Sequence, residues 1–427
     1  MRHRIALLLA LLGIVVSGVV AQDGSTDEIV ISTALQEQLD GMEVAVMELR
    51  ELAALSPMER DFPTREEAIA LLLADVQKQL PDKELFEETQ FYRAFDFFGP
   101  EVDLWNVYSA LLADQVAGFY DSDTQIMHIL LLSGEPLGDS LPPFERITYA
   151  HEYVHALQDQ HFGLAALANI EEPDCLYAAL ALVEGDAMVI TEQYMTLLLE
   201  TEPIVFFELA ATALSVDTAV PEETPPILEV ELMSPYLDGA ELVAVLYDQG
   251  GWEAVNAAYT NLPQSSEQIL HPEQYLSGDV PLPVEIVEVG DILGAEWTLL
   301  FNRTLGEFYL REYLATQLNS VQANRAAAGW GGDRYGLYYN EVTDQRAWVL
   351  RLAWDAPEDA AEFVAAYQEF AGLRMDTTID DPVLGDTLCW QNDTEIEALC
   401  LLDQGDTFIA YAPTWELAAG MIAAQED

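Results

Sequence analysis

The 427-residue sequence predicts an α+β protein in which a mainly helical portion with one small sheet precedes an α+β C-terminal domain. Two observations predict this class. Apolar residues recur at helical spacing through most of the chain before about residue 290, whereas β-favouring runs alternate with helices after it. The length fits two or three domains, because a domain usually contains roughly 100–200 residues. A hydrophobic content of 51% excludes a disordered chain.

The N-terminus has the pattern of an export signal over residues 1–21. The basic segment MRHR is followed by the apolar run IALLLALLGIVVSGVV and then by small residues, which favours cleavage after Ala21. The alternative is an uncleaved anchor, since the run approaches the length of a membrane-spanning helix. We expect an exported protein, extracellular or at the cell surface, with no membrane span beyond this possible N-terminal anchor.

The formal net charge of −59 limits the classes of partner that the protein can bind. Nucleic acid and anionic headgroups would be repelled, so neither is an expected partner. Calcium bound by surface carboxylates is compatible with this composition, although no segment has the D-x-[DN]-x-[DN]-G pattern of a linear calcium loop. No Lys or Arg occurs between Arg146 and Arg303, which limits the cationic groups available to a site in that region.

Helical spacing and turn residues divide the chain before residue 290 into a helical N-terminal region over 22–100 and a domain over 101–289. Thr64 and Glu67 form a predicted capping box, and β-favouring residues on either side of Asp-Ser-Asp predict a hairpin within 116–131. The predicted helices of this portion span 33–56, 64–80, 101–115, a segment opening at Pro142 and Pro143, 176–199 and 234–260.

The segment 290–427 is predicted to be a separate α+β domain. The glycines of GWGGDRY (329–335) lack the spacing and lysine of a phosphate loop, and they favour a close backbone approach around Trp330. Cys389 and Cys400 flank a turn between two short strands, which predicts a cross-strand disulfide and leaves Cys175 as a buried free thiol. Predicted helices span 299–318, 356–372 and 415–425, with β runs at 335–340, 346–354 and within 386–411.

The segment AHEYVHALQDQHF (150–162) contains the candidate catalytic residues. In a helix His151 and His155 project from nearly the same face one turn apart, close enough to bind one ion. Glu152 lies beside that face, where it reaches a metal-bound water without ligating the metal. This H-E-x-x-H arrangement predicts one catalytic Zn²⁺ with Glu152 as general base. The apolar stripe next to the histidines buries the helix, and purely structural histidines are the alternative.

A catalytic zinc needs a third protein ligand. His161 lies about 120° off the face of His155, so it is predicted to be a helix-end histidine and not a ligand. In the following helix, ALVEGDA offers Glu184 and Asp186, which differ by about 200° around the axis, so only one faces the metal. Glu184 shares the inward face with apolar residues and is the predicted ligand. A solvated acid is the alternative for this glutamate.

Further residues are candidates for supporting roles. Asp159 and Asp186 are expected to accept the outer N–H of a ligand histidine. Because the region lacks Lys and Arg, a donor for a tetrahedral oxyanion must be a His, a Tyr, a backbone N–H or the metal, and His271 and Tyr275 in QSSEQILHPEQYL are the candidates. Both residues are alternatively structural. Weaker candidates are Tyr120, Arg334 and Tyr335.

These residues resemble the gluzincin metallopeptidases, and in particular a little-characterised set of exported or membrane-associated prokaryotic proteins. The resemblance is carried by VAGFYD, HEYVHALQDQHF, ALVEGDA, EQILHPEQYL and GWGGDRY, and it covers about 100–370. It implies a zincin-like catalytic domain, zinc on His151, His155 and Glu184, and Glu152 as general base. It also implies that 116–131 is the sheet edge along which an extended peptide lies. The spacing between His155 and Glu184 is longer than in the best-known gluzincins.

The predicted function is that of an exported zinc-dependent endopeptidase acting on a peptide or protein substrate. A non-peptidase zinc hydrolase on the same scaffold is the first alternative. The second is a catalytically idle zinc-binding surface or interaction protein. The presence of Glu152 argues against the second, because a structural zinc site does not need a base and usually has four protein ligands.

Overall fold

The computed structural model describes residues 14–15, 31–131, 137–215, 221, 224–377, 386–392 and 394–425. The chain forms two compact units. The first contains residues 1–85, 103–171 and 176–263, and the second contains 86–102, 172–175 and 264–427. The predicted leader lies outside the described residues except for Ile14 and Val15. Among the described residues, no helix combines the length and apolar character needed to cross a bilayer.

The first unit is mainly helical, as predicted. The capping box of Thr64 and Glu67 is present, and Pro143 occupies the first turn of the helix that carries the histidines. The helix predicted at 234–260 starts earlier, just after Pro225, and breaks at Gly250 and Gly251. Its helices are α1 (Thr33–Arg50), α2 (Arg65–Gln79), α4 (Leu104–Gln115), α5 (Pro143–Phe162), α6 (Pro173–Thr201), α7 (Val205–Ser215) and α8 (Pro226–Ala258), with α3 (Asp82–Ala94) crossing into the second unit.

A small four-stranded sheet lies beside α5 in the first unit. Its strands are β1 (Ile14–Val15), β2 (Glu59–Asp61), β3 (Gly118–Asp121) and β4 (Ile126–Ile129), in the order β1-β3-β4-β2. The predicted hairpin is confirmed, since β3 and β4 pair antiparallel. β3 is not the outer strand that the resemblance implied, because two residues of the predicted leader pair with it in parallel.

The second unit is built on a six-stranded sheet with the order β5-β6-β7-β10-β9-β8, in which all neighbours are antiparallel. Its strands are β5 (Trp297–Arg303), β6 (Trp330–Asn340), β7 (Gln345–Trp354), β8 (Leu388–Asn392), β9 (Glu397–Gln404) and β10 (Asp406–Ala412). Its helices are α9 (Ser266–Leu270), α10 (Pro272–Ser277), α11 (Gly290–Leu293), α12 (Gly306–Ala315), α13 (Ser320–Ala327), α14 (Pro357–Met375) and α15 (Trp415–Ala423). The α+β class is therefore confirmed.

The second unit differs from the predicted 290–427 domain in its extent. Aromatic residues from the end of α3 enter its core, where the rings of Phe95 and Trp348 stack with centroids 5.0 Å apart. Burial of such large rings stabilises the packing of this short segment against the sheet.

The first part of the predicted helix 299–318 is wrong, because Trp297–Arg303 pairs with β6 as a strand. Its aromatic and β-compatible residues fit a half-buried sheet position.

The glycines of GWGGDRY permit the predicted close approach of backbone. A Cβ added to Gly332 would lie 2.5 Å from the carbonyl oxygen of Leu282, a distance that requires a shift of the backbone.

The predicted disulfide joins Cys389 and Cys400, which are direct partners on β8 and β9. Cys175 is free, as predicted, but it is half-buried and not fully buried. Desolvation, together with the charge of Asp174, raises the pKa of this thiol to about 11, so it is poorly reactive.

Candidate metal centre

Helix α5 presents its histidines inside the first unit. Ala150, Val154 and Leu157 of the predicted apolar stripe have no exposed surface, and they hold the helix in the core. His155 is fully buried, and His151 is only 8% exposed. His161, in the last turn, bonds the backbone carbonyl of Ala53, as expected for a helix-end histidine.

Three ligand atoms converge between α5 and α6. The Nε2 atoms of His151 and His155 lie 3.1 Å apart, and Glu184 Oε2 lies 3.3 Å and 3.5 Å from them respectively. Atoms that bind one tetrahedral zinc at about 2.0–2.2 Å lie about 3.3–3.6 Å from each other, so the three are close to the spacing of a zinc site. Glu184 is fully buried, and neither of its oxygens has a hydrogen-bond partner within the described residues.

The outer nitrogens of both histidines face acceptors. His151 Nδ1 lies 3.0 Å from Thr191 Oγ1, and that hydroxyl donates its own hydrogen to the carbonyl of Ala187. His155 Nδ1 lies 2.9 Å from Gln158 Oε1. The amide nitrogen of Gln158 donates to the carbonyl of Val183, so the oxygen is the atom that faces His155. Each Nδ1 is therefore the N–H donor, which leaves the Nε2 lone pairs directed at the shared point. Two lone pairs and a carboxylate aimed at one buried point attract a positive charge to it.

The electrostatic interactions between the two histidines and Glu184 also favour a bound cation. Burial lowers the pKa of His155, but the charges of Glu184 and Glu152 outweigh burial and raise the pKa to about 9. Burial raises the pKa of Glu184, yet the two histidines bring it down to about 2. The carboxylate is thus held ionised in a dry environment, which suits it to bind a cation. A His₂Glu set with no fourth protein ligand among the described residues fits a catalytic zinc.

Glu152 lies next to the triad without belonging to it. The side chain is 1% exposed, and its Oε2 has no hydrogen-bond partner among the described residues. Burial raises the pKa of this carboxyl well above its usual range, whereas the charge of His155 and a bond from the Tyr120 backbone N–H oppose the rise. A carboxylate with a raised pKa and a free oxygen beside a cation site has the properties of a general base.

The predicted roles of Asp159 and Asp186 need correction, because neither bonds a ligand histidine directly. Asp159 accepts the hydroxyl hydrogen of Tyr120 at 2.9 Å and the backbone N–H of Leu164 at 2.9 Å. It therefore fixes β3 and the chain after α5. Thr191 and Gln158, which were not predicted, occupy the places expected for the two aspartates.

Asp186 acts on His155 through Gln158. Gln158 Nε2 donates to Asp186 Oδ2 at 3.1 Å and to the carbonyl of Val183 at 3.0 Å, which fixes the direction of its Oε1 toward His155. Asp186 is itself fully buried against Arg50, with Nε and Oδ1 2.6 Å apart, and accepts a bond from Tyr259. Arg50 ends α1, so the N-terminal region takes part in the support of the site.

Replacement of Gln158 by Leu is expected to weaken zinc binding by about 10–100-fold, because His155 loses the acceptor that fixes its N–H. Asp186 keeps its bonds to Arg50 and Tyr259 in this variant. A competition titration with a zinc-binding dye measures the change. The matched control is Gln160→Leu on the same helix, whose amide bonds the backbone of Leu55 and not the site. Equal affinities for the two variants would contradict the assigned role.

Tyr236 on α8 lies near the triad and was not predicted from the sequence. Its ring faces that of His151 at a centroid distance of 5.9 Å, and its hydroxyl is buried without a hydrogen-bond partner among the described residues. Burial first, and then the charges of Glu184 and Glu152, raise the pKa of this hydroxyl well above its usual range. It thus remains a protonated donor near the triad.

Two glycines bring α6 and α8 into contact beside this tyrosine. A Cβ on Gly239 would lie 1.9 Å from the carbonyl oxygen of Ala181, and a Cβ on Gly185 would lie 2.1 Å from the backbone of Gly239. Only glycine permits helix backbones to approach this closely. Gly185 follows Glu184 directly and Gly239 lies about one turn after Tyr236, so the contact positions both functional side chains. A glycine inside a helical pattern was the available sequence signal.

The remaining candidates lie in defined but different surroundings. His271 and Tyr275 belong to the second unit, where His271 Nε2 is 2.9 Å from Glu307 Oε1 and Tyr275 is on α10. The catalytic role of both residues stays a prediction. Tyr120 donates its hydroxyl hydrogen to Asp159, which removes it as an oxyanion donor. In the second unit, Arg334 pairs with Glu172 and Asn302, and Tyr335 is fully buried as the acceptor of a bond from Arg303.

A family model described as a domain of unknown function (DUF8575) matches residues 299–420, which lie within the second unit. No curated protein and no solved structure matches the chain.

Proposed function

We propose that the protein is an exported zinc-dependent endopeptidase. The observation that carries the proposal is the convergence of His151 Nε2, His155 Nε2 and Glu184 Oε2 within 3.5 Å of each other, beside the free oxygen of Glu152. Two imidazoles and one carboxylate, with no fourth protein ligand in the part of the chain that the structure describes, match the ligand set of a catalytic zinc. The predicted leader supports the exported location.

His151, His155 and Glu184 would hold the metal. When bound there, zinc lowers the pKa of a water to around 7 and polarises the carbonyl group of the substrate. Glu152 takes the proton of the attacking water on its Oε2, which has no hydrogen-bond partner within the described residues. It then returns the proton to the leaving amine. Burial of Glu152 excludes bulk water from these steps.

The tetrahedral oxyanion needs a donor in a region without Lys or Arg. Tyr236 meets this need better than the residues predicted from sequence, because its hydroxyl is buried, unpaired within the described residues and close to both Glu184 and Glu152. Its hydrogen is therefore available to a substrate oxygen.

A peptide substrate would lie along β3, whose Tyr120 backbone N–H bonds Glu152. In the structure β3 pairs with β1 at Tyr120 and Asp121. Cleavage after Ala21 would remove β1 and expose this edge to an extended peptide, which would then bind by strand addition. The link between Tyr120 and Glu152 would place the peptide next to the general base.

Digestion of an unstructured protein tests the proposal. Purified protein loaded with zinc is expected to cut casein at internal bonds, which mass spectrometry of the products identifies. A chelator should stop cleavage, and added zinc should restore it. Zinc bound at one ion per chain without cleavage of casein or of a diverse peptide library would overturn the peptidase assignment and favour another hydrolase.

Replacement of Tyr236 by Phe is expected to lower kcat for casein-derived peptides by about 10²–10³-fold, which is the usual effect of losing one oxyanion donor. The ring and its contact with His151 are retained, so KM and zinc content should change little. The control is Tyr247→Phe on the same helix, since that side chain is exposed. Steady-state kinetics measure both variants, and an unchanged kcat for Tyr236→Phe would exclude the hydroxyl from the reaction.

A further inference from the structure

Three carboxylates from separate parts of the chain meet in the second unit. Glu267 is on α9, Asp279 follows α10, and Asp355 follows β7. One oxygen from each lies within 4.8 Å of the others. Oxygens that bind one calcium ion at about 2.3–2.6 Å lie at most about 5 Å apart, so the three can share one ion.

Glu267 distinguishes this group from an ordinary acidic surface. It is 1% exposed, yet its side chain has no hydrogen bond or ion pair within the part of the chain that the structure describes. A buried carboxylate normally has a partner, because the loss of hydration strongly disfavours its charge. The unpartnered carboxylate lies with the other two around a common point, so the missing partner belongs at that point.

The surroundings of Glu267 add negative charge and little positive charge. Burial, followed by the charges of Asp355, Glu307 and Asp279, raises the pKa of Glu267 to about 9. Glu307 is buried as well, and its Oε2 has no partner among the described residues, while its Oε1 bonds His271. His271 is the positive group that acts on Asp355. The cluster therefore carries more acid than the neighbouring groups neutralise.

We infer that Glu267, Asp279 and Asp355 bind a calcium ion. The three ligands are oxygens only, which favours calcium over zinc. Asp279 is half-buried and Asp355 exposed, so the open side admits the waters that complete six to eight ligands. The inference uses the second unit alone and does not depend on the proposed peptidase activity.

Calorimetry of the full-length protein near neutral pH tests this inference. Protein dialysed into calcium-free buffer is compared with protein in about 10 mM calcium chloride, a concentration well above the Kd of roughly 10⁻⁴–10⁻³ M typical of extracellular sites. The Tm of wild type is expected to rise by about 5 °C. Glu267→Gln keeps the shape of the side chain but removes its charge, so its Tm should not respond to calcium.

The exposed Glu296 provides the matched control, and Glu296→Gln should respond like wild type. Isothermal titration of calcium should give one ion per chain for wild type and none for Glu267→Gln. If Glu267→Gln does not fold, Asp355→Asn at the exposed position decides: loss of the calcium response supports the site, and an unchanged response overturns it. No calcium response in wild type, or an equal one in Glu267→Gln, also overturns it.

Discussion

Replacement of Glu152 by Gln is expected to lower kcat/KM for peptide cleavage by about 10²–10⁴-fold while zinc stays bound. The amide has nearly the same shape as the carboxylate, but it cannot take a proton from water. The three ligand atoms are unaffected, because Glu152 is not one of the converging atoms. Elemental analysis of zinc and steady-state kinetics on one sample measure both quantities.

The control for this variant is Glu192→Gln, since Glu192 is an exposed residue of α6. It should retain full activity and full zinc content. Turnover by Glu152→Gln at the wild-type rate would exclude Glu152 as the base. Loss of zinc from Glu152→Gln would instead make this residue a ligand or a support of the ligands.

Replacement of Glu184 by Gln is expected to weaken zinc binding by more than about 100-fold. Loss of a partner that merely supports a ligand costs about 10–100-fold, and loss of a charged ligand should exceed that. Glu184 supplies the negative charge that two neutral imidazoles cannot, and its burial makes this charge strong. Helix α6 should be preserved, because Gln is as good a helix former as Glu.

A competition titration against a zinc-binding dye measures this effect, with Glu192→Gln again as the control on α6. Circular dichroism checks that the helices are retained. Loss of even a supporting partner should weaken zinc binding by about 10-fold or more. A zinc affinity of Glu184→Gln within about threefold of wild type would therefore remove Glu184 from the ligand set.

The convergence of the three candidate ligands could be predicted from the sequence because a helix fixes the angles between neighbouring residues. His151 and His155 are one turn apart on α5, and the same geometry separates Glu184 from Asp186 on α6. The structure brings the three predicted ligands together. Helical angles do not give the partner of each outer nitrogen. Asp159 and Asp186 were predicted to be these partners, whereas the structure places Thr191 and Gln158 there.

Contacts between segments that are distant in the chain could not be predicted from the sequence. Arg50 and Asp186 are 136 residues apart, and nothing local to either residue indicates the pair. Tyr236 reaches the site because Gly239 allows α8 to touch α6, which a single sequence shows only as a glycine inside a helical pattern.

The fold was predictable at the level of class and less so at its boundaries. The disulfide and the capping box follow from local patterns and are present. Strand β5 was assigned to a helix, because short apolar runs are ambiguous between the two states. This segment forms a strand because it pairs with β6, which lies further along the chain.

The carboxylate cluster at Glu267 could not be predicted from the sequence either, since its members are not neighbours in sequence.

The zinc content of three proteins tests the central claim most directly. Elemental analysis of wild type, His155→Ala and Glu184→Ala, each purified in the same zinc-containing buffer and desalted, compares the intact triad with two incomplete ones. We predict about one zinc per chain in wild type and a small fraction of this in either variant, because only two ligands remain. Equal zinc in all three proteins would contradict the assignment of His151, His155 and Glu184 as the metal centre.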